Sequence, residues 1–361
     1  MRAVDVGVIG AGPAGLCAAI AAAEAGASVT VVDRQAAAGG QLVKQTHRFF
    51  GSREERAGTR GTALAKELAA KTVGLGVEVV LEAEVLGCYD DGVVLFERSH
   101  RVHKLKPSRL ILAAGAAERM LPFPGNDLPG VYGAGAVQTL MNVYGVRPGR
   151  RAVMVGAGNI GLIVGYQLIQ AGVDVVAVVE AAPVIGGYLV HAAKLRRSGV
   201  PVLTGHTVTR ALGDGQVDRV EVAAVGDGWA PIPGTERQFR ADVLCLAVGL
   251  SPLVELHCQL GCGTRHVPEL GGHVPVRDAR LQTTRAGVFV AGDAAGVEEA
   301  SVAMVEGRLA GLSAAADLGY TDTYSQQAAE CRAALRRLRA GPLADKVRRG
   351  LQTLGGWAED A

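Results

Sequence analysis

The 361-residue sequence predicts an α/β fold built on two Rossmann-like dinucleotide-binding units. Two observations carry the prediction. Residues 8–15 read "VIGAGPAG" and residues 153–161 read "VMVGAGNIG", with one glycine spacing after an apolar run. In both places a helical stretch follows, and then a β-branched run ending in an acid, Asp33 or Glu180.

Each element has a local reason. "VDVGVIG" is β-branched and apolar, the mark of a buried parallel strand. Gly10, Gly12 and Gly15 form the turn, an Ala-rich helix runs to Ala25-Gly26, and "SVTVVD" is the second strand. In the second unit "RAVMVG" is the strand and Gly156, Gly158 and Gly161 the turn. Its helix runs to Ala171-Gly172, and "VDVVAVVE" closes the unit. The spacing has a physical logic. The first glycine permits a tight turn, and the second lets backbone approach a pyrophosphate at the helix N-terminus. The third allows close helix–strand packing, and the acid accepts hydrogen bonds from a ribose. Two further stretches fit: "RLILAAGAAERMLPFPGNDLPGV" (109–131), a strand, a small-residue turn and Pro-Gly punctuation, and "GVFVAGDAAG" (287–296), a short strand with Gly-Asp before a helix from about Glu298.

Composition narrows the class. A net charge of +2 and 4% aromatics give no reason to expect nucleic acid as a partner. Six scattered cysteines do not form a secreted disulfide framework, so a cytoplasmic setting is expected. The apolar N-terminus is broken by Asp5 and the Gly-Pro turn, and reads as a strand rather than a signal peptide. No clean apolar run reaches the roughly 18 residues of a membrane span.

With Gly39-Gly40-Gln41, these four motifs in order resemble the thioredoxin-reductase-like flavoprotein superfamily over residues 3–317. The resemblance implies an FAD domain of residues 1–131 and 251–320, an inserted NAD-type domain of 132–250, and a helical tail of 321–361. It implies that Gly10, Gly12, Pro13, Ala14 and Gly15 cradle the FAD pyrophosphate and that Asp33 holds the ribose, with Arg34 beside it. Val85 falls where the family's backbone meets adenine. Ala114 and Gly115 form the small-residue turn, Gly40 and Gln41 lie toward the flavin edge, and Gly292 with Asp293 meets the ribityl chain or the pyrophosphate edge. Ala300 and Ser301 open a helix whose positive end faces the flavin. In the middle domain the resemblance gives Gly156, Gly158, Asn159, Ile160 and Gly161 as the turn, and Glu180 as the ribose acid. A carboxylate there disfavours the 2′-phosphate of NADP, so NADH, or another adenine nucleotide, is expected. Arg196 and Arg197 read as a solvated face.

One absence matters. Disulfide reductases of this fold carry a cysteine pair soon after the first Gly-Gly or before the second glycine turn. Residues 39–52 and 130–145 contain no cysteine. A disulfide reductase is therefore not expected. "GGQLVKQTHRFFGSREERAGTRG" (39–61), "FPGNDLPGVYGAGAVQTLMNVYG" (123–145) and "ELGGHVPVRD" (269–278) instead resemble the α-subunits of heteromeric amine and amino-acid dehydrogenases. These include hydrogen cyanide synthase, opine oxidases and dye-linked proline and D-hydroxyproline dehydrogenases. The resemblance implies an electron-relay subunit beside a substrate-oxidising flavoprotein. Residues 318–361 hold only Cys331, so any iron-sulfur centre is expected on another polypeptide. A self-contained NADH-dependent reductase and a non-catalytic nucleotide-binding scaffold are the alternatives.

Three smaller signals remain. Thr46 and His47, beside Phe49 and Phe50, are the only catalytic candidates. His257, Cys258, Cys262 and His266 read as packing around core cysteines rather than a metal site. The basic tail from Cys331 reads as amphipathic helices, packed on their own chain or docking a partner.

Overall fold

The computed structural model describes residues 2–49 and 56–355. The expected stretch 39–61 is therefore covered except for 50–55, which includes Phe50. The chain forms two compact units: one of residues up to Ala117 and from Leu250 onward, the other Glu118–Gly249.

The first unit is organised on a sheet of order Glu78–Val80, Val29–Val32, Arg2–Ile9, Arg101–Leu112, Val94–Arg98, Glu84–Cys88. The first four strands run parallel, as βαβ crossovers require, and Val288–Val290 joins Arg101–Leu112 in parallel as a further strand. The last two form an antiparallel ribbon. Val6, Val8, Val31 and Ile111 are fully buried, so these strands read as apolar runs rather than alternating ones. Helix Pro13–Glu24 packs on the sheet with Leu16, Ala18, Ala19 and Ala22 buried. Helix Ala300–Ala316 lies against helix Pro13–Glu24 at very short range. A Cβ on Gly307 would stand 2.0 Å from Ala14 O, and one on Gly311 2.2 Å from Ala18 O.

The second unit repeats the plan. Its parallel sheet has the order Val202–Thr204, Asp174–Glu180, Arg151–Val155, Val243–Leu246, Val131–Gly133. Its antiparallel ribbon is His206–Leu212, Arg219–Ala224, Arg237–Arg240.

The tail beyond 320 forms helices Tyr324–Leu338 and Asp345–Leu354 within the first unit. Ala328, Cys331 and Leu335 join its main core, and Leu351 and Leu354 pack with Leu270. No helix of the described residues is long and apolar enough to cross a membrane.

Candidate functional site

The first glycine turn is dictated atom by atom. Gly10 sits at φ +105°, and a Cβ there would fall 2.3 Å from Ala113 O. A Cβ on Gly15 would fall 1.8 Å from Gly10 O. The protein itself therefore requires both glycines. Gly12 differs. Its φ is −75°, open to any residue, and a Cβ there meets nothing nearer than Gly40 Cα at 3.9 Å. It opens helix Pro13–Glu24 with no side-chain cap. The missing side chain leaves a cradle at the positive end of a helix, where an anionic group fits. Asp33 stabilises the turn. Its carboxylate accepts from Ala11 N at 2.5 Å and Gln35 N at 2.7 Å. Arg34 beside it is exposed. Gly39 N donates to Ala11 O at 2.7 Å, and a Cβ on Gly40 would stand 2.7 Å from Gly12 Cα. Gln41 follows, exposed.

The second turn copies these bonds. Gly156 has φ +103°, and a Cβ would fall 2.3 Å from Ala247 O. A Cβ on Gly161 would fall 2.0 Å from Gly156 O. Gly158 has φ −73° and open space where its Cβ would be. Glu180 accepts from Ala157 N at 2.7 Å and Ala182 N at 2.9 Å. Gly187 N donates to Ala157 O at 2.9 Å, so a second Gly-Gly pair, 186–187, lies against this turn. The sequence carried that signal in "GGYLV" (186–190) against "GGQLV" (39–43), and reading the motifs alone missed it. Asn159 accepts from Tyr188 N at 2.8 Å, and Ile160 is exposed. Arg196 and Arg197 are exposed.

Among the described residues, only the first unit has a third arm. Strand Val288–Val290 delivers Gly292 at φ +69°, where a Cβ would stand 2.7 Å from Ala14 Cβ. Asp293 follows. Burial pushes its carboxyl up to about 7, against which the amide of Glu298, donating at a long 3.4 Å, has less effect. Helix Ala300–Ala316 opens just beyond, with Ala300 and Ser301 in its first turn and no side-chain cap. Behind the turn lie four charged side chains, Arg277, Glu298, Glu306 and Arg339; the sequence marked Glu298 only as the start of the helix, which opens two residues later at Ala300, and did not single out the other three. Their signal was faint, since a charge in an apolar helix such as "SVAMVEGRLAG" is the only local hint.

The other candidates fall as follows. Ala113 N donates to Ile9 O at 2.8 Å, so Ala114 and Gly115 continue directly from the first turn. Gly115 has φ +81°. Ala83 N donates to Asp33 O at 2.9 Å, which brings the approach to Val85 past the acid. His47 stands 6.1 Å from the Phe49 ring, and Thr46 precedes it, on the segment after Gly40–Lys44. Among the four His and Cys residues, one expectation is corrected. Cys262 is buried, 3.3 Å from Thr283 Oγ1, but Cys258 is exposed. Helix Glu255–Gln259 turns His257 inward, so its neighbour Cys258 faces out. His257 is fully buried with no partner for either ring nitrogen among the described residues. Burial first, and then Arg277, lowers its pKa to about 4.

Comparison with known proteins agrees with this geometry. The pyridine nucleotide-disulphide oxidoreductase family matches residues 4–307. An opine oxidase subunit from Rhizobium meliloti (strain 1021) is 31% identical, over 87% of this chain and 71% of its own length. Hydrogen cyanide synthase subunit HcnB of Pseudomonas aeruginosa is 29% identical, over 85% of this chain and 69% of its own. Among solved structures, L-proline dehydrogenase from P. horikoshii superimposes with a TM-score of 0.71 at 24% identity. That match covers 91% of this chain and 58% of the dehydrogenase, and shows the fold. The chain belongs to the pyridine nucleotide-disulphide oxidoreductase family and is an FAD-dependent oxidoreductase without the family's cysteine pair at either expected place.

Proposed function

We propose that the first unit holds FAD, that the second takes an NAD-type nucleotide, and that the chain is the α-type electron-relay subunit of a multi-subunit amine or amino-acid dehydrogenase. One observation carries the reading: the chain builds two open glycine cradles and has no cysteine in 39–52 or 130–145 to receive electrons. FAD supplies the ring that takes up and releases electrons. The chain's own residues do the rest. Gly12 leaves room for the pyrophosphate, and Asp33 holds the turn and meets the ribose. The helix opening at Ala300 and Ser301 sets its positive end toward the ring. Glu180 stands where a 2′-phosphate would be repelled, so NADH is favoured over NADPH. Thr46 and His47 remain the candidates for a polar lining.

With no dithiol, electrons leave for another chain. The relatives bear the names of subunits. This supports membership of a multi-subunit enzyme; on this reading the partner is a flavoprotein that oxidises a proline-, hydroxyproline- or opine-like substrate, and any iron-sulfur centre sits on a further small protein. A cytoplasmic location fits this reading. The completeness of the second cradle favours one further reading, a self-contained NADH-dependent reductase.

The test is an anaerobic NADH titration of the purified chain, followed by its visible absorbance. Stoichiometric bleaching of the flavin band supports a working NADH site, and steady turnover by the chain alone favours the reductase. A yellow protein that bleaches only when a substrate-loaded partner is added supports the relay. One that stays oxidised under both treatments is a scaffold.

A further inference from the structure

We propose that Arg339, supplied by the C-terminal helical tail, is a positioning residue for the flavin site of the first unit, gripping Glu298 and Glu306 so as to fix the Gly292–Asp293 turn and the opening of helix Ala300–Ala316. The inference rests on the reading that this unit holds FAD.

The connections are continuous. Arg339 caps helix Tyr324–Leu338, and its side chain is 2% exposed. Its Nε donates to Glu298 Oε2 at 2.9 Å and its Nη2 to Glu298 Oε1 at 2.5 Å. The same Nη2 donates to Glu306 Oε1 at 2.7 Å. The other oxygen of Glu306 accepts from Gly292 N at 3.0 Å. One guanidinium thus reaches, through a single carboxylate, the backbone amide that precedes Asp293. Through Glu298 it holds the residue two positions before the helix opens. Arg277 grips the same turn from another side, donating to Ala295 O at 2.6 Å. Arg339 is itself tied down, since Arg348 Nη1 donates to its carbonyl and, at 3.0 Å, to Gly341 O.

Stability alone does not account for such a cluster. Removing ion pairs from water costs about as much as their attraction returns, and apolar side chains of similar size often do as well. What a buried guanidinium adds is geometry: a planar fork with fixed donor directions. Burial raises the pKa of Glu298, although its hydrogen bonds from Arg339 oppose the shift. Without Arg339 the carboxylate of Glu298 loses both hydrogen bonds that fix its position. The family match ends at residue 307, so Arg339 lies beyond the region it covers.

The full chain is the object of the test, with Arg339→Met, Arg339→Lys and, as a control, Leu335→Ala. Leu335 lies on the same helix, is 2% exposed, and packs in the core through apolar contacts. Three quantities are read: FAD affinity, the midpoint potential of the bound flavin, and thermal unfolding of the flavin-free protein. Arg339→Met is expected to weaken FAD binding about tenfold or more and to lower the midpoint potential. Arg339→Lys, which keeps the charge but not the fork, should recover part of both. Leu335→Ala should lower thermal stability while leaving the potential in place. If Arg339→Met matches wild type in affinity and potential, or behaves as Leu335→Ala does, the residue only docks the tail and the proposal falls. Should Arg339→Met fail to fold, Arg339→Lys decides by the same two flavin readouts. A wild-type chain that takes up no FAD overturns the reading of the first unit and this inference together. Flavin binding that neither variant alters overturns this inference alone.

Discussion

The two glycine turns share their bonds and differ in their surroundings. In the first, Ala14 is 5% exposed beneath Gly292 and helix Ala300–Ala316. In the second, the matching Ile160 is 44% exposed, and Val184 and Leu189 nearby are 68% and 75% exposed. The turn glycines themselves are alike, with Gly10, Gly12, Gly156 and Gly158 all half-buried; what Gly292 and helix Ala300–Ala316 cover in the first unit is the start of the helix just behind the turn. The same local sequence rule thus stands in two surroundings, and the difference is made by what packs beside it.

The largest expected effect separates the two sites outright. Gly12→Val puts a side chain into the first cradle, where its Cβ meets nothing nearer than Gly40 Cα at 3.9 Å. The purified variant should lose FAD, with affinity down about 100-fold or more, while flavin-free stability falls by only about 1 kcal/mol, since Gly12 is the helix N-cap and valine caps poorly. Gly158→Val should leave the flavin bound and weaken NADH binding about tenfold or more, as read by titration of the oxidised protein. Retention of full FAD occupancy by Gly12→Val would break the comparison at its root.

A smaller effect tests the acids. Asp33 and Glu180 each accept two backbone amides, and charge-assisted bonds are worth about 1.5–3 kcal/mol. Asp33→Ala should weaken FAD about 10–100-fold, and Glu180→Ala should weaken NADH similarly. Glu180→Ala should also narrow the preference for NADH over NADPH, as measured by titration with each. An unchanged preference would show that the carboxylate plays no part in choosing the nucleotide.

The smallest effect sharpens the contrast by pH. Asp293 has a folded-state pKa of about 7 against an ordinary 3.8, raised by burial. The fold therefore binds more protons than the unfolded chain between those values, and the contribution to stability is lost as pH rises through that window. Asp293→Asn should stabilise the flavin-free protein by about 1–2 kcal/mol above pH 7 and by little below pH 4. Thermal unfolding at both ends of the range checks the sign.

Some of this was legible in the residues, and for identifiable reasons. Gly10, Gly15, Gly156 and Gly161 are demanded by backbone contacts at their own turns, so spacing alone reveals them. Asp33 and Glu180 bond within their own turns and are equally local. The missing cysteine pair needed only a place to look. The charge cluster was not legible, because Arg277, Glu298, Glu306 and Arg339 meet only after separate segments have packed. The outward face of Cys258 depended on which side of a five-residue helix met the core.

The sequence by itself determined the two βαβ units, their turns and their acids, since each follows from hydrogen bonds and steric limits within about 30 residues. Only the tertiary structure decided that Ala14 is covered by packing while the matching Ile160 stays exposed. It also decided that a tail arginine meets two carboxylates 41 and 33 residues before it, behind the Gly292–Asp293 turn. Those outcomes depend on burial and on charges brought together across the chain, and no local pattern encodes either.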